Sequence, residues 1–321
     1  MAEAIPPTSP TMVREKMGTA QAPPDNLGGS TINVGGGPGD LQAAINASAQ
    51  GDTIVVPAGA VYNPVTLPIR TGSGWTAIRV ATPPPVGTKV SPADAAKLFK
   101  IAAPNGLVSL NIPQGTQGWR FIGMHVQPAD GAFRFTNVRC GGDRISFERS
   151  VIEPHTSGRD CNQGLYVYGS DTQIWDSWIE TRSVQQDNQA IWMRSEFQVP
   201  SARLHVENTT LRGAGMCFMA SDEANSLPAY DMTFLRCHMH KPLSWMQRLP
   251  GGAANPEWDG VMWSTKNIFE LKFSERVLLD ECVLENSWAP DSGGYQNGEA
   301  FVLNNGVSNS GGDLYSRHDV P

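Results

Sequence analysis

The chain has 321 residues, enough for one large domain or two ordinary ones, and 40% of them are hydrophobic, which excludes disorder along the whole length. Only 17% are charged, against about 25% in an average chain, while 33 glycines and 24 prolines exceed their usual combined share of about 12%. Such a composition excludes a helical bundle or coiled coil and favours short strands joined by many turns. The net charge of −7 argues against a nucleic-acid surface, although a local patch of Lys and Arg can still receive an acidic ligand.

Met1 to Ser30 contains several prolines and no apolar core of a secretory signal, so it reads as a flexible leader. No run approaches the length of about 18 apolar residues that a membrane helix needs. Residues 31–321 read as one domain. Its first feature is LQAAINASAQGDTIVVPAG, an amphipathic helix (Leu41, Ala44, Ile45) followed by a buried strand, Thr53 to Val56. An open solenoid needs such a helix to cover its exposed end.

A repeat follows. The segments WRFIGMHVQ, ISFERSVIE, TQIWDSWIE, LHVENTTLR, MTFLRCHMH and VLLDECVLE align on Val126, Ile152, Ile179, Leu211, Met239 and Leu284, at spacings of 26, 27, 32, 28 and 45 residues. Five positions earlier stand Phe121, Phe147, Ile174, Val206, Phe234 and Leu279, and the position before each of these is mostly polar. Strand alternation repeated at one phase predicts a right-handed parallel β-helix, because hairpins do not preserve phase and propeller blades need about 40 residues. The fold class is therefore all-β, a single solenoid with an N-terminal capping helix. The column Ser150, Ser177, Thr209, Cys237, Cys282 sets two of the five cysteines on neighbouring turns, where parallel side-chain directions favour stacked thiols over a disulfide.

A second series, AFRFTNV, GLYVYGS, AIWMRS, MCFMAS, NIFELKF and EAFVLNN, accompanies the first. In it Ile191 and Met193 are expected to point inward and Trp192 and Arg194 outward. Likewise Phe269 and Leu271 should face in, with Glu270 and Lys272 facing out. Between them Phe218 and Ala220 are expected to face outward.

GDLQAAINASAQGDTIVVPAGAVY resembles the opening segment of pectate-lyase-like right-handed β-helix proteins. GSGWTAIRV through VSPADAAKLFKIAAPN, HKPLSW, and WSTKNIFELKFSERVLLDECVLENSW resemble a narrower bacterial β-helix group without an assigned activity. The resemblance covers roughly residues 31–304 and implies a fold shared by lyases, hydrolases, esterases and phage tailspike modules. It also implies an extracellular location, and further turns beyond Pro321, so that the chain reads as truncated at that end. The paired-aspartate motifs of polygalacturonases and the Arg-x-Pro-x-x-Arg pattern of the main pectate lyases are both missing from the sequence.

Candidate chemistry gathers on the second series. Arg194 and Lys272 fall in one outward column two turns apart, about 10 Å at the rise of stacked strands. With Trp192 and Glu270 they suit a polysaccharide of uronic acids, the cations meeting carboxylates and the indole a sugar ring. Abstraction of the proton beside a carboxylate would make the protein a polysaccharide lyase acting by β-elimination. Arg194, Lys272, Glu270 and Asp187 are the catalytic candidates, and Trp192, Lys241, Trp245, Arg248 and Asp222 the binding candidates. The last of these groups draws Lys241, Trp245 and Arg248 from the long insertion HKPLSWMQRLPGGAANPEWDGVMW, which equally reads as a packing loop. Asp187, Asp222 and Glu223 are weak candidates for Ca²⁺, or for the acid/base pair of a glycoside hydrolase. His238 and His240 lie on one strand face but bind zinc only with a third ligand nearby. A non-catalytic glycan-binding or fibre module, monomeric or trimeric, is the competing reading; neither nucleic acid nor a membrane span is expected.

Overall fold

The computed structural model describes residues 27–158, 160–184, 188–196, 199–220, 227–272, 274–288 and 298–304. Strands recur in threes along the chain and pair almost entirely in parallel with their counterparts one turn on, which makes a right-handed parallel β-helix of about eight turns. The first sheet runs Thr31–Asn33, Thr53–Val56, Thr76–Val80, Gln117–Ile122, Asp143–Glu148, Ser170–Trp175, Ala202–Glu207, Ala229–Leu235 and Ser274–Asp280. The second includes Met124–Val126, Val151–Ile152, Trp178–Ser183, Thr210–Gly213, His238–His240 and Val283–Glu285. The third includes Arg134–Cys140, Asp160–Val167, Gln189–Met193, Met216–Ala220, Phe269–Lys272 and Phe301–Asn304.

The phase read from the sequence holds on the first two sheets. Phe121, Phe147, Ile174, Val206, Phe234 and Leu279 are successive register partners, and so are Val126, Ile152, Ile179, Leu211, Met239 and Leu284. All but the last member of each column are almost completely buried, and the Phe121 and Phe147 rings stack at 5.4 Å and 13°. Like packs on like because each turn presents the same inward position at the same height. The helix Asp40–Ala47 closes the N-terminal end, burying Leu41 and Ile45 completely.

One expectation on the third sheet is overturned. Phe218 pairs with Ile191 below and Phe269 above, and both Phe218 and Ala220 are fully buried in the core. Met219 is the outward residue, in the column of Trp192 and Glu270. Met216 to Ala220 is an unbroken apolar run, so alternation gave no parity there. Ring packing chose it: the Phe218 ring lies 4.7 Å from Phe234 and 4.8 Å from Phe269.

Two columns of non-glycine residues with positive φ bend the chain at each end of the first sheet. Arg144, Asp171, Arg203, Asp231 and Arg276 precede the sheet's core positions with φ of 54–61°. This conformation costs roughly 1–2 kcal/mol per residue. Alternating charge offsets part of that, with Arg203 on Asp171 and Arg276 on Asp231, each at 2.5 Å. At the other end, Arg149, Asp176, Asn208, Arg236 and Glu281 turn the chain into the second sheet. The small-residue column comes next. Ser150, Ser177 and Thr209 donate their hydroxyls to the carbonyl two residues back at 2.6–2.9 Å, and Cys237 and Cys282 donate their thiols likewise at 3.4 Å. Both cysteines are free thiols.

Candidate functional site

The outer face of the third sheet carries a continuous cluster of charged and aromatic side chains. Arg139, Tyr166, Trp192, Met219 and Glu270 form one column over five successive turns. The Tyr166 ring stacks on Trp192 at 4.9 Å and lies 5.2 Å from Tyr168. Arg139 sits over Tyr168 at 5.0 Å and Arg194 over Trp192 at 5.3 Å. Trp192 thus supports Arg194, where the sequence suggested an open face for a sugar ring.

Arg194 and Lys272 follow Met193 and Leu271, which are linked through Ala220 of the intervening turn, so they stand two turns apart in one column. Arg139 stands two turns below Trp192, in the adjoining column, two residues along the strand from the position under Arg194. The face therefore offers a cation at every second turn, with Arg194 and Lys272 roughly 10 Å apart at the usual strand spacing and Arg139 set off along the strand.

At the lower end these residues frame a pocket of about 290 Å³, lined by Gly106, Val108, Phe135, Thr136, Arg139, Gln163, Tyr166 and Glu196. Glu196 accepts hydrogen bonds from the Arg139 guanidinium, at 3.2 Å, and from the Tyr166 hydroxyl. Burial and this adjoining carboxylate push the Tyr166 phenol far above its ordinary value, so it stays protonated. Phe135 is 67% exposed yet forms part of the pocket wall. An aromatic ring left in water beside an arginine is an apolar platform beside an anion receptor.

At the upper end Glu270 is only 2% exposed. Its carboxylate receives Asn267 Nδ2 at 2.9 Å, Lys266 Nζ at 3.3 Å and Lys272 Nζ at 3.4 Å. Two lysines around one carboxylate leave this end net positive, and Glu270 holds the cations in place from beneath.

The remaining sequence candidates separate. Lys241 is fully buried rather than facing a ligand, and its ammonium donates to the Asn267 carbonyl at 2.8 Å. Trp245, 4% exposed, packs with Trp263 and Ala214 as part of the wall. Arg248 is exposed on the insertion and bonds the Gly252 carbonyl at 3.1 Å. The insertion turns its tryptophans onto the solenoid because their apolar area exceeds what the loop alone can bury. Asp187, Asp222 and Glu223, the calcium or acid/base candidates, lie outside the described residues. Arg139, Tyr166, Tyr168, Glu196 and Phe135 were not singled out from the sequence. The alternation Leu165–Tyr166–Val167–Tyr168 in GLYVYGS was the signal that could have found the tyrosines.

Burial lowers the Lys241 ammonium from its ordinary 10.5 to about 8. Between those values the unfolded chain binds more protons than the folded one, so stability from this group rises as pH climbs to about 10.5. It is lost as pH falls through 8. Thermal melts of the parent and of Lys241→Met should therefore diverge by about 2–4 kcal/mol across that window, the parent gaining relative to the variant. Parallel melting curves would show that the ammonium is not desolvated.

No protein-family profile matches the chain, and no curated protein matches it in sequence. Among solved structures it is similar to an alginate lyase from Paenibacillus sp. str. FPU-7, at 12% identity and a TM-score of 0.44, over 84% of this chain and 99% of that one. It is also similar to a pectin methylesterase from Aspergillus niger, at 13% identity and a TM-score of 0.48, over 91% and 84% of the two chains. A capsular polysaccharide depolymerase tailspike from Acinetobacter baumannii bacteriophage Fri1 matches at 12% identity and a TM-score of 0.45, over 79% of this chain and 46% of the other. At such values the likenesses concern the path of the chain alone. Fold and face together define a parallel β-helix with a cationic, aromatic-floored outer ladder.

Proposed function

We propose that the protein is a carbohydrate-active β-helix that binds a uronic-acid-containing polysaccharide along the outer face of its third sheet and cleaves it by β-elimination. The observation that carries this reading is the placement of Arg139, Arg194 and Lys272 at every second turn, rising from the pocket that holds Phe135, Tyr166 and Glu196. A polyanion of extended sugars meets such a row with one carboxylate per cation, while Phe135 offers a surface for the apolar face of a ring.

Arg139 receives the carboxylate of the reacting sugar and stabilises the negative charge that develops as the adjacent carbon loses its proton. Its movement towards substrate releases Glu196, which takes that proton. Tyr166, kept as a phenol, donates its own to the departing glycosidic oxygen as the double bond forms. The bond already linking Tyr166 to Glu196 then returns the proton to the phenol.

The test is incubation of the full chain with alginate, pectate and glycosaminoglycans, followed by ultraviolet absorbance of unsaturated ends. A rise on at least one polyuronate is expected. Saturated reducing ends on a neutral or acidic glycan would point to a hydrolase, and binding without any product would leave only a glycan-binding module; either result overturns the elimination.

A further inference from the structure

The second sheet carries a different cluster, on which the proposed cleavage does not depend. His238 and His240 belong to one strand, and alternation puts both on its outer face. The register sets Glu285, on the following turn, directly beside His240. His238 Nε2 lies 2.7 Å from a Glu285 carboxylate oxygen, and the two imidazoles stack at 4.1 Å and 10°. One ligand atom from each of the three residues lies within 4.8 Å of the others, the only such group of three His, Cys, Asp or Glu side chains among the described residues.

We propose that His238, His240 and Glu285 bind one divalent transition-metal ion of the zinc type. Two imidazoles and a carboxylate are a donor set that suits zinc, whereas calcium takes oxygen ligands throughout. Tetrahedral bonds of about 2.1 Å space donors about 3.4 Å apart, so rotation of the side chains closes the shell with the ladder-paired strands unmoved.

The surroundings permit a cation. Thr210 and Val283, the register partners of His238, are uncharged. Arg212, the nearby cation, is tied to Glu180 at 3.0 Å and stacked on Trp178 and Trp245. His238 and Glu285 are partly exposed, at 35% and 48% of their side-chain surface, so an entry path and a fourth position for water exist. A bound ion would tie the seventh turn to the eighth at the root of the long insertion.

The experiment is calorimetric titration of the chelator-stripped full chain with ZnCl₂, repeated with CoCl₂ and read by visible absorption. One ion per chain is expected, with a tetrahedral cobalt spectrum and a zinc-dependent rise in melting temperature. His238→Ala and Glu285→Ala, at partly exposed positions, should each weaken binding about tenfold or more and remove the thermal shift, with the far-ultraviolet circular dichroism unchanged. His155→Ala, on a separate surface turn, should change nothing. No binding by the folded parent, or binding that persists unchanged in both variants, overturns the site.

Discussion

The Arg139→Ala/Arg194→Ala double variant is expected to lose at least about a hundredfold in kcat/KM on the polyuronate that the parent cleaves, or the same factor in affinity. Each guanidinium contributes charge-assisted hydrogen bonds of about 1.5–3 kcal/mol to an anionic ligand, and two such losses comfortably exceed that factor. Its melting temperature should fall only modestly, mostly through the loss of the Arg194 stack on Trp192, worth about 0.5–2 kcal/mol. The Arg139 side chain is 40% exposed and its ion pair with Glu196 is of the exposed kind that contributes about 0–1 kcal/mol. The loss should shrink at high salt, because partly exposed charges are screened. Steady-state kinetics on defined oligouronates, with melting curves alongside, check this. Unchanged catalysis would place substrate on another face of the solenoid.

Glu270→Ala should do the opposite, costing fold before function. Its carboxylate is 2% exposed and answers Lys266 and Lys272, whose side chains are themselves only 11% and 23% exposed. Removing one member of a buried ion cluster strands the others, a loss of about 3–5 kcal/mol. Chemical denaturation should show this loss. Glu270→Gln should recover part of it, since the amide fills the same space and its oxygen still accepts from Asn267 and the lysines. A destabilisation under about 1 kcal/mol for the alanine variant would mean that the lysines reach water freely and that Glu270 was open to substrate after all.

Part of the site was legible because of where the information lay. Arg194 and Lys272 belong to segments whose inward residues alternate cleanly with outward ones, so their shared column follows from pattern alone. Tyr166 and Tyr168 obey the same rule and could have been placed with them. Glu196 obeys no periodicity; it lies in a turn after Gln189–Met193 and meets Arg139 across 57 residues of sequence. Phe135 has the residue type of a core position and yet is 67% exposed, which no composition argument anticipates. Lys241 and Trp245 erred the other way. A charge and an indole in a loop suggest a ligand, but the loop folded back and used both against the wall.

The sequence by itself determined the β-helix, its phase on two sheets and its helical cap. Those rest on local alternation and on a repeat length that any turn reports separately. The tertiary structure alone decided the parity of Met216 to Ala220, the burial of Lys241 and Glu270, and the meeting of Glu285 with His238 and His240. Each of these depends on which turn lies above which and on how far the insertion between Met239 and Ile268 displaces the next strand in sequence without displacing it in space. In a solenoid the neighbours that set an outward residue's environment are one turn away, and the number of residues in that turn is free to vary.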